Sequence, residues 1–354
     1  MPSPSLPLFP SLPHGLVFPV PPTPPLLPLA ITSKAADLGF DLCAFAPAHD
    51  SVHKSYWRNW IANHHHGDMA YLADRLDERL SPATFLPGAR SAICLAINYH
   101  YPLQPHIPAP GERPARIARY ALPDDYHDWI KTRLYALADY TRELAPGSQT
   151  LCGVDTAPIP ERELAARAGI GFVGKNTCII HPRLGSWLFL ATILTTLDLP
   201  TTDDSTSHCG TCTRCLLACP TGALHPDRPY ELNASKCISY LTIEHQGPIP
   251  DDLRPGVGNW LYGCDICQDV CPFNTKAPNA NLSKNPRLAP RHPTGYVDAA
   301  EIPTWTEVQW HPFSRRSAIR RLSLPLLQRN AEVVLANAPN STTPPPTSEP
   351  SSPQ

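Results

Sequence analysis

Eight of the twelve cysteines in this 354-residue chain fall between Cys209 and Cys271, at spacings that hold metal. Cys209, Cys212, Cys215 and Cys219 form a C-x2-C-x2-C-x3-C run closed by Pro220. Cys264, Cys267 and Cys271 repeat the end of that run, closed by Pro272, and Cys237 stands alone between the two groups. In two-cluster bacterial ferredoxins the fourth cysteine of each run serves the other [4Fe–4S] cube. The spacing therefore assigns Cys209, Cys212, Cys215 and Cys271 to one cluster. Cys264, Cys267, Cys219 and the stand-in Cys237 go to the other. Zinc competes for such residues, but it takes only four tetrahedral ligands, and its knuckles rarely carry a third cysteine two residues on. A disulfide framework would need an oxidising compartment. Two clusters in one module pass electrons, so another part of the chain must receive them.

Among the carboxylates, Asp155 in GVDTAPIPER is the best candidate for chemistry alongside that electron transfer. It follows an apolar strand and precedes a helix start, where a semi-buried carboxyl can have a raised pKa and donate a proton. The bland alternative is a turn residue that accepts backbone hydrogen bonds. GFVGKN (171–176) could bring backbone close to a ligand and leave Lys175 free for a phosphate. It lacks the glycine spacing of a nucleotide phosphate loop. Arg315, Arg316, Arg320 and Arg321 lie in a stretch without alternating acids. Helical spacing would put Arg316 and Arg320 on one face, suited to nucleic-acid phosphates or simply solvated. The histidines at 64–66 precede Gly67, a helix C-cap candidate, and adjacent positions do not share a helix face. Cys43, Cys94, Cys152 and Cys178 read as buried thiols.

These residues need a scaffold, and the chain is long enough for a substantial core. A net charge of −2 gives no global basic field. The 45 prolines concentrate at the ends: 1–28 and 339–354 read as disordered extensions, and the first has neither the basic start nor the unbroken apolar stretch of a signal peptide. No stretch is long enough to span a bilayer, which predicts a soluble, cytoplasmic protein. Helices are expected over 30–38, 53–80, 124–144, 161–168 and 312–337, with strands at 41–45, 89–99, 150–154 and 187–195. Trp129, Leu134, Leu137 and Leu144 are core candidates of the 124–144 helix. Strands alternating with helices predict an α/β or α+β layer domain over 29–200. An inserted ferredoxin-like module follows at 201–280, then a helical segment at 281–338.

Several longer stretches resemble the epoxyqueuosine reductases. They are RLSPATFLPGARSAI (79–93), DDYH (124–127), VDTAPIPERELAARAGIGFVGKNTCII (154–180), GSWLFLATILT (185–195), CGTCTRCLLACPTGAL (209–224), CISYLT (237–242) and LYGCDICQDVCPFN (261–274). The resemblance covers about residues 31–337. It implies a cobalamin-binding domain resembling that of reductive dehalogenases, a module with two [4Fe–4S] clusters, and C-terminal HEAT-like helices. The implied activity is reduction of epoxyqueuosine to queuosine at the wobble position of tRNA. Asp155 falls on the family's proton donor. Arg79, Asn176 and Ser239 fall in stretches that line cobalamin, alongside Asp155. Arg315, Arg316, Arg320 and Arg321 fall on helices that touch the tRNA backbone. An external electron donor and a monomeric state are also implied. The first 28 residues lie outside the family pattern, and Leu122-Pro123 replaces an expected Trp-Gly pair.

Two other readings share parts of this pattern. A reductive dehalogenase-like corrinoid iron–sulfur enzyme acting on a small molecule would normally carry an export signal. A plain electron carrier would leave the layer domain and Asp155 without a purpose.

Overall fold

The computed structural model describes residues 26–202, 208–275, 282–283 and 285–338. The proline-rich segments expected at 1–28 and 339–354 therefore lie outside the described residues, apart from Leu26–Pro28. Nine short strands are described: β1 Leu42–Pro47, β2 Ser91–Asn98, β3 Pro114–Ile117, β4 Thr150–Gly153, β5 Phe172–Val173, β6 Ile179–Ile180, β7 Leu188–Thr195, β8 Trp260–Tyr262 and β9 Tyr296–Asp298. The main sheet has the order β1-β2-β7-β4, and each neighbouring pair is antiparallel. The layer domain is thus α+β.

β2 is buried along its whole length, and its side chains divide by size. Ile93, Leu95 and Ile97 enter the large core. Ala92, Cys94 and Ala96 point to the opposite face, into a second cluster with Leu164, Ala165 and Ala168. This is the two-residue period of a strand. Small residues on the second face let helix Glu161–Arg167 lie close to the sheet. Helix Tyr126–Leu144 covers the first face through Ile130, Leu134 and Leu137. Trp129 and Leu144 only pack at the edge of that core. The helix starts at Asp125, whose side chain accepts the His127 backbone N–H. β4 thus ends between two helices that arrive from opposite faces of the sheet.

Two expected helices are interrupted. Helix Lys54–Ala62 stops before the histidine run, where His64 takes a left-handed φ of 55°, and Tyr71–Asp74 and Leu76–Leu80 are separate turns. Gly67 therefore caps no helix. The expected 312–337 helix is two helices, Glu307–Ser314 and Leu324–Asn337, around the 3-10 turn Ala318–Arg321. Leu327, Ala331 and Val334 sink the last helix into the large core. It packs on β8, on the 3-10 turn Ile302–Thr304 and on the short helices Ile238–Ile243 and Arg254–Val257.

Candidate active site and cysteine cradle

Cys209, Cys212, Cys215 and Cys271 line one small pocket, partly open to solvent, together with Asn176, Ile180, Arg214, Pro272 and Phe273. Burial, joined by the neighbouring Cys209, Cys271 and Cys212, pushes the Cys215 thiol up to about 11. The other four thiols form a second group. Burial pushes Cys264 up, and Cys237 and Cys219 push it further. Cys237 and Cys264 pack against Ile238, Ile249 and Trp260, whereas Cys209 and Cys271 pack with Phe172, Ile180 and Phe273. Among the described residues no three His, Cys, Asp or Glu side chains gather on one point, as a single-ion site would require. Thiols grouped in apolar surroundings suit a larger, charge-delocalised cluster.

The β5–β6 hairpin braces the first group. A side chain at Gly171 would meet the backbone carbonyl oxygen of Ile180 at 2.6 Å, so glycine there lets the hairpin close. Lys175 is not free for a phosphate: its Nζ donates to the carbonyls of Gly210 and Cys212 at 2.8 and 3.0 Å. Its backbone N–H points at Cys209 Sγ, 3.4 Å away. The side chain thereby fastens the loop that carries the first two cysteines. Asn176 is buried, and its Nδ2 donates to the Cys267 carbonyl at 3.4 Å. It therefore touches both groups. Ser239, in the first turn of helix Ile238–Ile243, gives its backbone N–H to Cys237. Cys178 differs from the other three remaining cysteines. It is hydrogen-bonded to Cys267, which draws its pKa down, while Cys43, Cys94 and Cys152 are pushed up by burial.

Asp155 sits just past β4 with a left-handed φ of 53°. The approach to it is tight: a side chain at Gly153 would meet Ile159 Cδ1 at 2.5 Å and Ala157 Cβ at 2.9 Å. Its carboxylate lies 3.2 Å from His127 Nε2, and His127 Nδ1 lies 2.7 Å from Asp125 Oδ1. Burial opposes the charged imidazole, but the hydrogen bonds to Asp125 and Asp155 outweigh it and lift His127 to about 9. The same bond holds the Asp155 carboxyl below its ordinary range, and the side chain is exposed, 63% accessible, not semi-buried as expected. The raised pKa expected of Asp155 belongs instead to Glu161, which burial and the Asp155 charge lift to about 8. Both Glu161 oxygens face the Asp155 backbone N–H, at 3.1 and 3.3 Å. His127 and Glu161 were not singled out from the sequence. An aspartate two residues before a histidine hints at an N-capped imidazole, but only the sheet brings that histidine to Asp155.

Arg79 comes near this group, and burial draws its pKa down. Its Nε is buried with no hydrogen-bond partner in the protein. On the other side, Arg321 grips Glu244 with two bonds of 3.1 and 2.8 Å, faces the Tyr71 ring, and lies close enough to pull Asp155 down. Arg316 and Arg320 do not share a helix face. Arg316 has a left-handed φ of 56° between two helical segments, and its guanidinium lies 3.4 Å from Asp124. Acids from distant segments thus partner two of the four arginines. Among the described residues Arg315 and Arg320 are exposed and make no ion pair.

Eight thiols in two groups, next to a polar pocket with an aspartate at a strand end, are the build of an iron–sulfur oxidoreductase. The family model for a "4Fe-4S double cluster binding domain" matches residues 208–274. The one described as "Epoxyqueuosine reductase QueG, DUF1730" matches 79–156. The chain is 39% identical over 309 residues to the epoxyqueuosine reductase of Gloeobacter violaceus, spanning 86% of this chain and 94% of that one. It is 35% identical to that of Escherichia coli, spanning 86% and 79%. An epoxyqueuosine reductase crystallised with an epoxyqueuosine-modified tRNA-Tyr stem loop superposes with a TM-score of 0.80 at 30% identity, covering 89% of this chain and 82% of that one. The Bacillus subtilis enzyme, with its catalytic aspartate loop swung out of the active site, gives 0.80 at 29% identity and the same coverage. The chain belongs to the epoxyqueuosine reductase family.

Proposed function

We propose that this protein reduces epoxyqueuosine to queuosine in tRNA, with Asp155 at the reacting epoxide and electrons delivered through two [4Fe–4S] clusters. The observation that carries this reading is the placement of Asp155. It is bonded to a protonated His127 on one side and clamped by Glu161 on the other. Removing the epoxide oxygen as water takes two electrons and two protons. His127 and Glu161 both hold protons near neutral pH beside Asp155. Asp155 is itself ionised, so it serves best by passing on the His127 proton to the departing oxygen. Cys209, Cys212, Cys215 and Cys271 would hold the first cluster. Cys219, Cys237, Cys264 and Cys267 would hold the second.

Cobalamin fits the donors present. The buried, partnerless Nε of Arg79 offers a hydrogen bond that the protein leaves unused, and such an orphan is costly unless a ligand meets it. Arg79, Asn176, Ser239 and Asp155 would line the cofactor. When bound, it would supply a strongly reducing cobalt centre. Asn176 and Ser239, both in contact with cluster cysteines, would keep it near the electron source. A base in an anticodon loop can be splayed out to enter a pocket, and Arg315 and Arg320 would hold the flanking phosphates. We assign residues 29–200 to the cofactor-binding unit, 201–280 to the cluster module and 281–338 to the tRNA-contacting segment. The enzyme acts as a cytoplasmic monomer served by an external electron donor; among the described residues no helix is long and apolar enough to cross a membrane.

The test is anaerobic reconstitution with iron, sulfide and cobalamin, followed by nucleoside mass spectrometry of modified tRNA under a chemical reductant. Loss of one oxygen from the modified base, dependent on added cobalamin, is expected. Turnover of a small halogenated aromatic without any on tRNA would overturn the assignment.

A further inference from the structure

The Asp155 relay does not end at Asp125. The backbone N–H of Asp125 donates to the carbonyl of Arg316 at 2.8 Å. Arg315 and Arg316 are exposed, yet the flanking Ser314 and Ser317 to Ile319 are buried. The buried flank is tied down: Tyr262 Oη donates to the Ala318 carbonyl at 2.7 Å. Ser317 Oγ donates to the Ala121 carbonyl at 3.4 Å. The result is a two-arginine knuckle on a fixed base, pressed against the start of helix Tyr126–Leu144.

We propose that Arg316 is a positioning residue for the reaction. Its left-handed backbone sets the helix start that holds Asp125, His127 and so Asp155, while its exposed guanidinium, now beside Asp124, would meet a further substrate phosphate. This inference rests on the role of Asp155 proposed above. Two non-glycine residues with left-handed φ, Arg316 at 56° and Asp155 at 53°, stand at the two ends of one hydrogen-bonded path. Such conformations are costly for side-chain-bearing residues and persist where the surroundings enforce them. Asp124 adds a link, since it pairs with Arg316 at 3.4 Å and with Arg291 at 3.9 Å. A phosphate arriving at Arg316 competes with Asp124 for the guanidinium on the element whose carbonyl orders the relay. Phosphate contact and proton delivery then share one turn.

A substitution series at one position separates the two functions. Arg316→Gly keeps the left-handed turn and removes the guanidinium, so it should raise KM for tRNA several-fold while kcat keeps its pH profile. Arg316→Val disfavours that backbone, so kcat should fall roughly tenfold, with Arg316→Ala between the two. The alkaline limb of kcat reports His127, which faces Asp125 and Asp155, with Glu161, Tyr126 and Arg321 around Asp155. That limb, near about 9 in the parent protein, should move to lower pH in the Val variant. Iron content and melting temperature guard against misfolding, and the Ala variant carries the test if the Val variant fails to fold. Equal kcat and equal limbs across Gly, Ala and Val would overturn the positioning role alone. A parent protein that keeps its turnover when Asp155 is changed to Asn would remove the role of Asp155, and this inference with it.

Discussion

The cysteine cradle and the Asp155 pocket solve opposite problems. The cradle gathers eight thiols from two short stretches and the lone Cys237 and packs them among Phe172, Ile180, Ile238 and Trp260, where burial pushes Cys215, Cys237, Cys264 and Cys271 up. The pocket gathers charged groups from at least five segments: Arg79, Asp125 with His127, Asp155, Glu161 and Arg321. In the cradle a cofactor would supply the order, and the chain need only present sulfur at the right intervals. In the pocket the protein supplies the order itself, through a sheet edge clamped from both faces. Local chemistry is therefore set by spacing, and convergent chemistry by packing.

The largest effect that would break this comparison is at Asp155. Asp155→Asn should fold and load both clusters, yet lose about 10²–10⁴-fold in turnover, the range of general acid–base catalysis. Next is Cys237→Ala, which should cut iron from about eight atoms to about four per chain. Full iron in that variant would show that Cys237 is no ligand and that the second group is misassigned.

The His127 bond can be sharpened by pH. Its folded pKa is raised, so the stability it contributes is complete below the ordinary histidine range and is lost as pH rises through about 9. Turnover should fall over the same interval. His127→Gln should remove that limb and slow the reaction roughly a hundredfold, at the low end of acid–base contributions. A limb that survives the substitution would place the titrating group elsewhere. The smallest effect is Lys175→Met, which removes two bonds from a charged donor to the Gly210 and Cys212 carbonyls. A loss of about 1 kcal/mol is expected from this partly exposed site. Chelators should then strip the first cluster sooner than the second. Equal rates for both would mean that Lys175 braces neither.

How much of this was legible in the sequence follows the same division. The C-x2-C-x2-C-x3-C-P run carries its chemistry in its intervals, so a double-cluster module was legible there. β2 and β7 were legible as apolar runs, and helix Tyr126–Leu144 as an amphipathic period. The antiparallel order of the sheet was not, because β2 and β7 are 90 positions apart at the closest (Asn98 to Leu188) and nothing local encodes their pairing. Asp155 was visible as a strand-end carboxylate, but the sign of its pKa shift was not. That sign depends on His127, brought up from 28 positions away. The arginine stretch looked helical because its charges repeat at a helical interval, yet buried Ser317 and the left-handed Arg316 bend it into a knuckle. Lys175 looked like a phosphate ligand until the cluster loop supplied two carbonyls for it.

The central claim is that the pocket around Asp155 performs the proton chemistry on electrons supplied by the cradle. The most direct measurement is single-turnover conversion of an epoxyqueuosine-bearing stem loop, with prereduced clusters and cobalamin, comparing the parent protein with Asp155→Asn at matched iron content. Conversion in the parent and at least a hundredfold slower conversion in the variant is the predicted result. Equal conversion by both would contradict the account and return Asp155 to the role of a turn residue.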